Sequence, residues 1–186
     1  TFIKIVLPLI VAENEKILND RIKLAALKNK KKNLSSNEKS WLRQKSREYK
    51  ISKLDLNELN KRMDVIPVSI ALAQAAKESG WGTSRFALEG NAIFGQWTWT
   101  GKGIEPLEKE KHQSHKILRF PILRASVKAY KNNLNTHSGY SEFREKRFSL
   151  RKRNKNIKGL ELTKTLDKYA QTGKDYTDIL EQIIKQ

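Results

Sequence analysis

Glu78 is the residue whose neighbours most plainly set up chemistry. It ends a run of Val68, Ile70, Ala71, Leu72, Ala73, Ala75 and Ala76, apolar on nearly every face of a helix, and Gly80 follows shortly after. A helix that is hydrophobic all round is buried. Pro67 suits its first position, and glycine is a natural left-handed stop. Glu78 therefore falls in the last turn of a buried helix. Burial disfavours the ionised carboxylate, the negative end of the helix dipole does the same, and Trp81 offers an apolar wall. All three raise the pKa, with Lys77 as the opposing charge. A carboxyl kept protonated near neutral pH can give its proton to a leaving oxygen, which is general acid catalysis. Gln74, one turn earlier, is placed either to orient Glu78 or to pack the helix.

Other chemistries lack their residues. The chain has no cysteine, which excludes thiol nucleophiles, iron–sulfur clusters and cysteine-type zinc sites. His112 and His115 are three apart, but neither a helix nor a third ligand supports a metal, and no cofactor is expected. There is no glycine-rich phosphate loop and no Gly-x-Ser-x-Gly elbow.

The elements that must position Glu78 read as one mostly helical domain of 186 residues with a small irregular β element in the middle. Ile10, Ile17, Leu18, Ile22, Leu24 and Ala25 recur at helical spacing up to about Lys32, where Lys28, Lys30, Lys31 and Lys32 suit a helix C-terminus. Ser35 with Glu38 is a capping-box pattern opening a helix with Trp41, Leu42 and Tyr49, and Asp55 with Glu58 repeats it before Leu56, Leu59 and Met63. Residues 91–120 read as loops with short strands, the alternation running from His115 to Phe120. Helix returns after Pro121, with Leu123, Val127, Tyr130 and Leu134 on one face and Gly139 ending the stretch; His137 at the helix end is read as structural. Two C-terminal helices follow, around Leu162–Tyr169 and, capped by Asp175, Ile179–Ile184.

The formal charge of +18 predicts attraction to something acidic. Residues 144–158 concentrate it in Arg144, Lys146, Arg147, Arg151, Lys152, Arg153, Lys155 and Lys158, opposed only by Glu145. An anionic envelope surface is the expected partner of Arg144–Lys158. Nucleic acid is disfavoured because aromatic and basic residues do not interleave there. The apolar stretch 1–12 is too short to cross a bilayer, and no transmembrane segment is expected.

The block Glu78-Ser79-Gly80-Trp81-Gly82, preceded by Ala71-Leu72-Ala73-Gln74 and followed by Asn91-Ala92-Ile93-Phe94-Gly95, resembles the glucosaminidase family of peptidoglycan hydrolases, glycoside hydrolase family 73. Within it, the chain is similar to the Bax-like branch of Gram-negative bacteria at Ile66-Pro67-Val68-Ser69, Ser84-Arg85-Phe86-Ala87, Gly95-Gln96-Trp97, Asn133-Leu134-Asn135-Thr136-His137 and Tyr140. Weaker matches lie at Leu7-Pro8-Leu9-Ile10 with Asn14, and further ones at Tyr169 and Tyr176.

The resemblance implies a mainly α (α+β), lysozyme-like fold, with a helical lobe facing a small β-containing lobe across a groove. Residues 1–64 would form an N-terminal helical extension and 65–186 the catalytic core of one domain. The implied activity is cleavage of the β-1,4 bond after N-acetylglucosamine in glycan strands of the cell envelope, in the periplasm or at a membrane, with Glu78 as the acid. Tyr169 matches the family tyrosine beside that acid. Gln74, Trp81, Asn91, Phe94 and Trp97 are the expected substrate-binding residues, since aromatic faces suit a pyranose ring; Trp99 is open between groove and core. Glycoside hydrolysis usually takes a second carboxylate; Glu105, in a Gly103-Ile104-Glu105-Pro106 turn, is preferred over Glu108 and Glu110. Lys116 departs from the branch, which often carries an acid there. That departure opens the alternative of a weak or inactive peptidoglycan-binding envelope protein.

Overall fold

A computed structural model describes residues 1–30, 33–98, 103–104, 116–153 and 156–186. Its helices are α1 (Phe2–Lys30), α2 (Ser36–Glu48), α3 (Leu56–Arg62), α4 (Val68–Ser79), α5 (Arg85–Gly90), α6 (Leu123–Thr136), α7 (Ser141–Lys152), α8 (Gly159–Leu162) and α9 (Lys174–Lys185). Among the described residues, three short strands, β1 (Trp97–Thr98), β2 (Gly103–Ile104) and β3 (Lys116–Leu118), lie between α5 and α6. The sheet order is β1-β3-β2 and both pairings are antiparallel, with Trp97 opposite Ile117 and Gly103 opposite Leu118. This mainly helical chain with a small antiparallel sheet is consistent with the expected lysozyme-like fold.

Helix α1 serves two apolar clusters. Val6 and Ile10, near its start, join Ile70, Ala71 and Ala75 of α4, Val127, Tyr130 and Leu134 of α6, and Tyr176 and Leu180 of α9. Ile17, Leu24 and Leu27, further along, pack with Leu42, Tyr49, Leu59 and Met63. Burial of α4 on nearly all sides follows from this position between α1 and α9, and matches its uniformly apolar sequence.

The helix ends follow local chemistry. Ser35 and Glu38 form a full reciprocal capping box, and the Asp55 carboxylate accepts from the Asn57 and Glu58 amides. Gly80 ends α4 in the left-handed conformation. Three boundaries differ from the sequence reading. Pro67 is the residue before α4 rather than its first, as its ψ of 133° is extended. Gly173 precedes α9, leaving Asp175 in the first turn, where its charge still suits the helix dipole. Gly139 lies in a 3-10 helix (Ser138–Tyr140) beyond the end of α6, where His137 accepts the Gly139 amide at Nδ1.

The basic run corrects the expectation of a continuous cationic surface. Arg144 is 4 % exposed and donates to the carbonyls of Leu134 and His137; Arg147 is fully buried and donates to the carbonyls of Asp64, Val65, Lys61 and Arg62. Arg151 grips Asp64 with two bonds of 2.6 and 2.7 Å. Arg144 fastens α7 to the end of α6, and Arg147 and Arg151 fasten it to the end of α3 and the segment that leads into α4, so these three are not offered to an anionic surface. Asp64 is 1 % exposed and also faces Arg21 at 3.6 Å. Burial would raise its pKa, but the Arg151 bonds and the charges of Arg147, Arg21 and Arg151 outweigh it and hold the carboxyl below its usual value.

Asp64→Ala would leave Arg147 buried without its carboxylate, a loss of about 3–5 kcal/mol read from denaturant midpoints. Because the folded pKa of Asp64 is depressed, its contribution is present above about pH 4 and fades as pH falls through the folded value. The stability difference between wild type and Asp64→Ala should therefore shrink in acid; a pH-independent difference contradicts this account.

Candidate active site

Glu78 occupies the last turn of α4 and is half-buried. Burial raises its pKa; a hydrogen-bonding interaction with the Tyr176 hydroxyl and the charge of exposed Lys77 pull the other way without cancelling it. The sequence expectation of a raised acid matches this direction.

A chain of polar groups inside the core holds Tyr176 in place. The Tyr130 hydroxyl donates to Gln74 Oε1 at 2.6 Å, and Gln74 Nε2 donates to the Tyr176 oxygen at 2.9 Å. That leaves the Tyr176 proton for the Glu78 carboxyl. Gln74 is fully buried, so it is not a substrate-lining residue. Its amide fixes the tyrosine that meets the acid, with both its oxygen and its nitrogen engaged inside the core.

Tyr169 lies beside this group. Its hydroxyl donates to the Phe94 carbonyl at 2.8 Å, and its ring stacks on Tyr176 at 5.6 Å. Tyr176 is the tyrosine that hydrogen-bonds the Glu78 carboxyl, and Tyr169 packs against it. Residue types alone could not separate them, because both tyrosines lie near the C-terminus and only the packing of α9 against α4 selects one.

The Asn91–Gly95 segment builds the opposite wall. Asn91 ends α5 at φ 50° and its side-chain amide donates to the Phe120 carbonyl at 3.0 Å. Phe94 is 1 % exposed and stacks flat on Tyr130, with ring centroids 3.8 Å apart. It anchors the wall from inside the core and is not a groove floor. Gly95 follows at φ 59°, and a Cβ there would stand 2.9 Å from Glu78 Oε2. Only glycine combines that backbone with that approach. The spacing from Asn91 to Gly95 thus carries a turn, an anchor and a close pass over the carboxyl.

After α4 the chain turns sharply. The Ser79 hydroxyl donates to the Ala75 carbonyl and accepts from the Gly82 amide, and Trp81 takes φ 58°. Trp81 is 49 % exposed and meets Phe2 edge-on at 5.8 Å. Among the expected lining residues with described side chains, Trp81 is the exposed one. The Trp97 backbone lies in β1; its side chain, Trp99, Glu105, Glu108, Glu110, His112 and His115 lie outside the described residues, so the second carboxylate is not placed. Among the described residues, no cluster of three acidic, histidine or cysteine side chains could hold a metal ion.

The raised pKa of Glu78 has a stability consequence. An acid whose folded pKa exceeds its unfolded value of about 4.3 favours folding below that value and loses the benefit as pH rises through the folded pKa. Glu78→Gln should therefore be more stable than wild type at neutral pH, with the difference narrowing in acid. Thermal unfolding at several pH values measures this; a less stable variant at pH 7 contradicts the burial of an ionising carboxyl.

Comparison with known proteins agrees with the architecture. The glucosaminidase family model, described as mannosyl-glycoprotein endo-beta-N-acetylglucosaminidase, matches residues 53–186. The chain is 34 % identical over 185 residues to protein bax of Escherichia coli (strain K12), covering 96 % of this chain and 66 % of that protein. No solved structure matches the chain. With the helical lobe, the Glu78 turn and the Gly95 wall in place, the chain belongs to the glucosaminidase family.

Proposed function

We propose that the chain is a peptidoglycan hydrolase, an endo-β-N-acetylglucosaminidase that cuts the β-1,4 bond after N-acetylglucosamine. The observation that carries this reading is the Glu78 carboxyl, raised in pKa by burial and bounded by Tyr176 and Gly95. Family membership supports the glycosidase class. In this reading Glu78 gives its proton to the glycosidic oxygen as the C1–O bond breaks, and the sugar develops oxocarbenium character. A second group then delivers water to C1 or attacks it; Glu105 is the preferred carboxylate, with Glu108, Glu110 and the substrate's acetamido oxygen as alternatives. Trp81 offers an exposed aromatic face to the sugar. Residues 65–186 form the catalytic core, aided by the first turns of α1, which pack on α4. In this reading the protein works in the cell envelope, in the periplasm or at a membrane, and the similarity to a protein of Escherichia coli supports a Gram-negative bacterium.

Tyr176 gives the acid a second property. Its hydroxyl favours the carboxylate, so Glu78 is not locked in the protonated state. The same group can give a proton in one step and take one from water in the next.

Purified sacculi digested by wild type should yield soluble muropeptides with a reducing N-acetylglucosamine end. Glu78→Gln should keep the fold and lower release by about 10²–10⁴-fold. Anhydro products from wild type would replace hydrolysis with lytic transglycosylation. Sedimentation with sacculi and no released sugar would support the binding-protein alternative. Undiminished release by Glu78→Gln would refute the assignment.

A further inference from the structure

A cavity of about 730 Å³ opens between α1, α2 and α6, and neither Glu78 nor Tyr176 nor Gly95 lines it. That volume suits a small ligand. Its three acids are already matched by bases. Glu13 pairs with Arg124 at 2.7 Å and with Lys16 at 3.1 Å. Asp20 and Glu48 share Lys45, at 2.5 and 3.1 Å.

Lys131 is different. It lines the cavity from α6, is 2 % exposed, and its Nζ meets no hydrogen-bond partner among the described residues. Asn135, one turn further along the same face, also lines the cavity. Its Nδ2 donates to the Asp64 carbonyl at 2.9 Å, but its buried Oδ1 accepts nothing among the described residues. Burying an ammonium and an amide oxygen without partners is costly. Packing does not require it, because methionine has similar length and no charge. Burial also holds the Lys131 pKa down to about 7, with Glu13 as the main opposing charge.

We propose that this cavity binds a small carboxylate bearing an adjacent N–H or O–H, the carboxylate pairing with Lys131 and the donor with Asn135. A planar carboxylate matches one unmatched ammonium beside an amide acceptor. Lys16 and Lys45 also line the cavity but are held by its acids, and Lys128 lines it as an exposed side chain, so Lys131 is the buried ammonium left for a ligand; a phosphate dianion would bring a second negative charge in beside Glu13, Asp20 and Glu48. Lys131 Nζ has no accessible surface in this structure, so binding requires the flexible lysine to swing outward to meet the ligand. The site does not depend on the glycosidase reading, since it shares no residue with the Glu78 wall.

The test uses this chain labelled with 13C-lysine, its Lys131 Cε–H signal assigned through Lys131→Met. N-acetylalanine, its neutral amide and inorganic phosphate are titrated in turn. The expected result is a saturable shift of the Lys131 signal with N-acetylalanine only. Calorimetry should show that Lys131→Met loses roughly tenfold or more of the affinity. Lys131→Met should also unfold at a higher temperature than wild type, as expected when an unmatched buried cation is removed. The proposal is overturned by no saturable shift, by equal binding of the amide, by tighter binding of phosphate, or by full affinity in Lys131→Met. If Lys131→Met does not fold, the comparison of acid with amide on wild type decides the matter alone.

Discussion

Desolvation of one carboxyl group is the constraint on which the rest of the structure depends. Glu78 can be raised in pKa only if α4 is surrounded, and α4 is surrounded only because α1, α8 and α9 pack on it. Burial without access would give a silent acid. The left-handed Gly95 gives a close approach without a side chain, so the wall facing the acid is bare backbone. The Tyr130–Gln74–Tyr176 relay then fixes one hydrogen-bonding partner for the carboxyl. Each link is buried, so each holds the next in one orientation.

A second electrostatic centre supports this arrangement from behind. Asp64 gathers Arg21, Arg147 and Arg151 in the segment that feeds α4. It ties α1 and α7 to the start of the helix that carries the acid. A high net charge is usually a surface property. Here part of it is interior, because arginine can satisfy several backbone carbonyls at once with its planar fork.

The main helices were legible in the sequence because their signals are local. The capping box at Ser35, the stop at Gly80 and the uniformly apolar run before Glu78 each need only neighbouring residues to be understood. Even the short strand Lys116–Leu118 showed as alternation. What the sequence hid was partnership over distance. Gln74 and Phe94 looked like groove residues because they flank the acid and the aromatic loop, yet both are interior. Tyr176 and not Tyr169 meets the acid, a choice made 98 residues away in the chain by the seating of α9. Arg144 and Arg147 read as a basic surface because charge alone says nothing about backbone carbonyls waiting inside the fold.

The most direct test is the titration of Glu78 itself. The side-chain carboxyl carbon of a 13C-glutamate-labelled chain can be followed by NMR, with Glu78→Gln providing the assignment. This account predicts a midpoint above the ordinary glutamate value of about 4.3. A midpoint at or below that value would mean that water reaches the carboxyl freely or that its partners favour the charged form. Either result would remove the physical basis for an acid at this site.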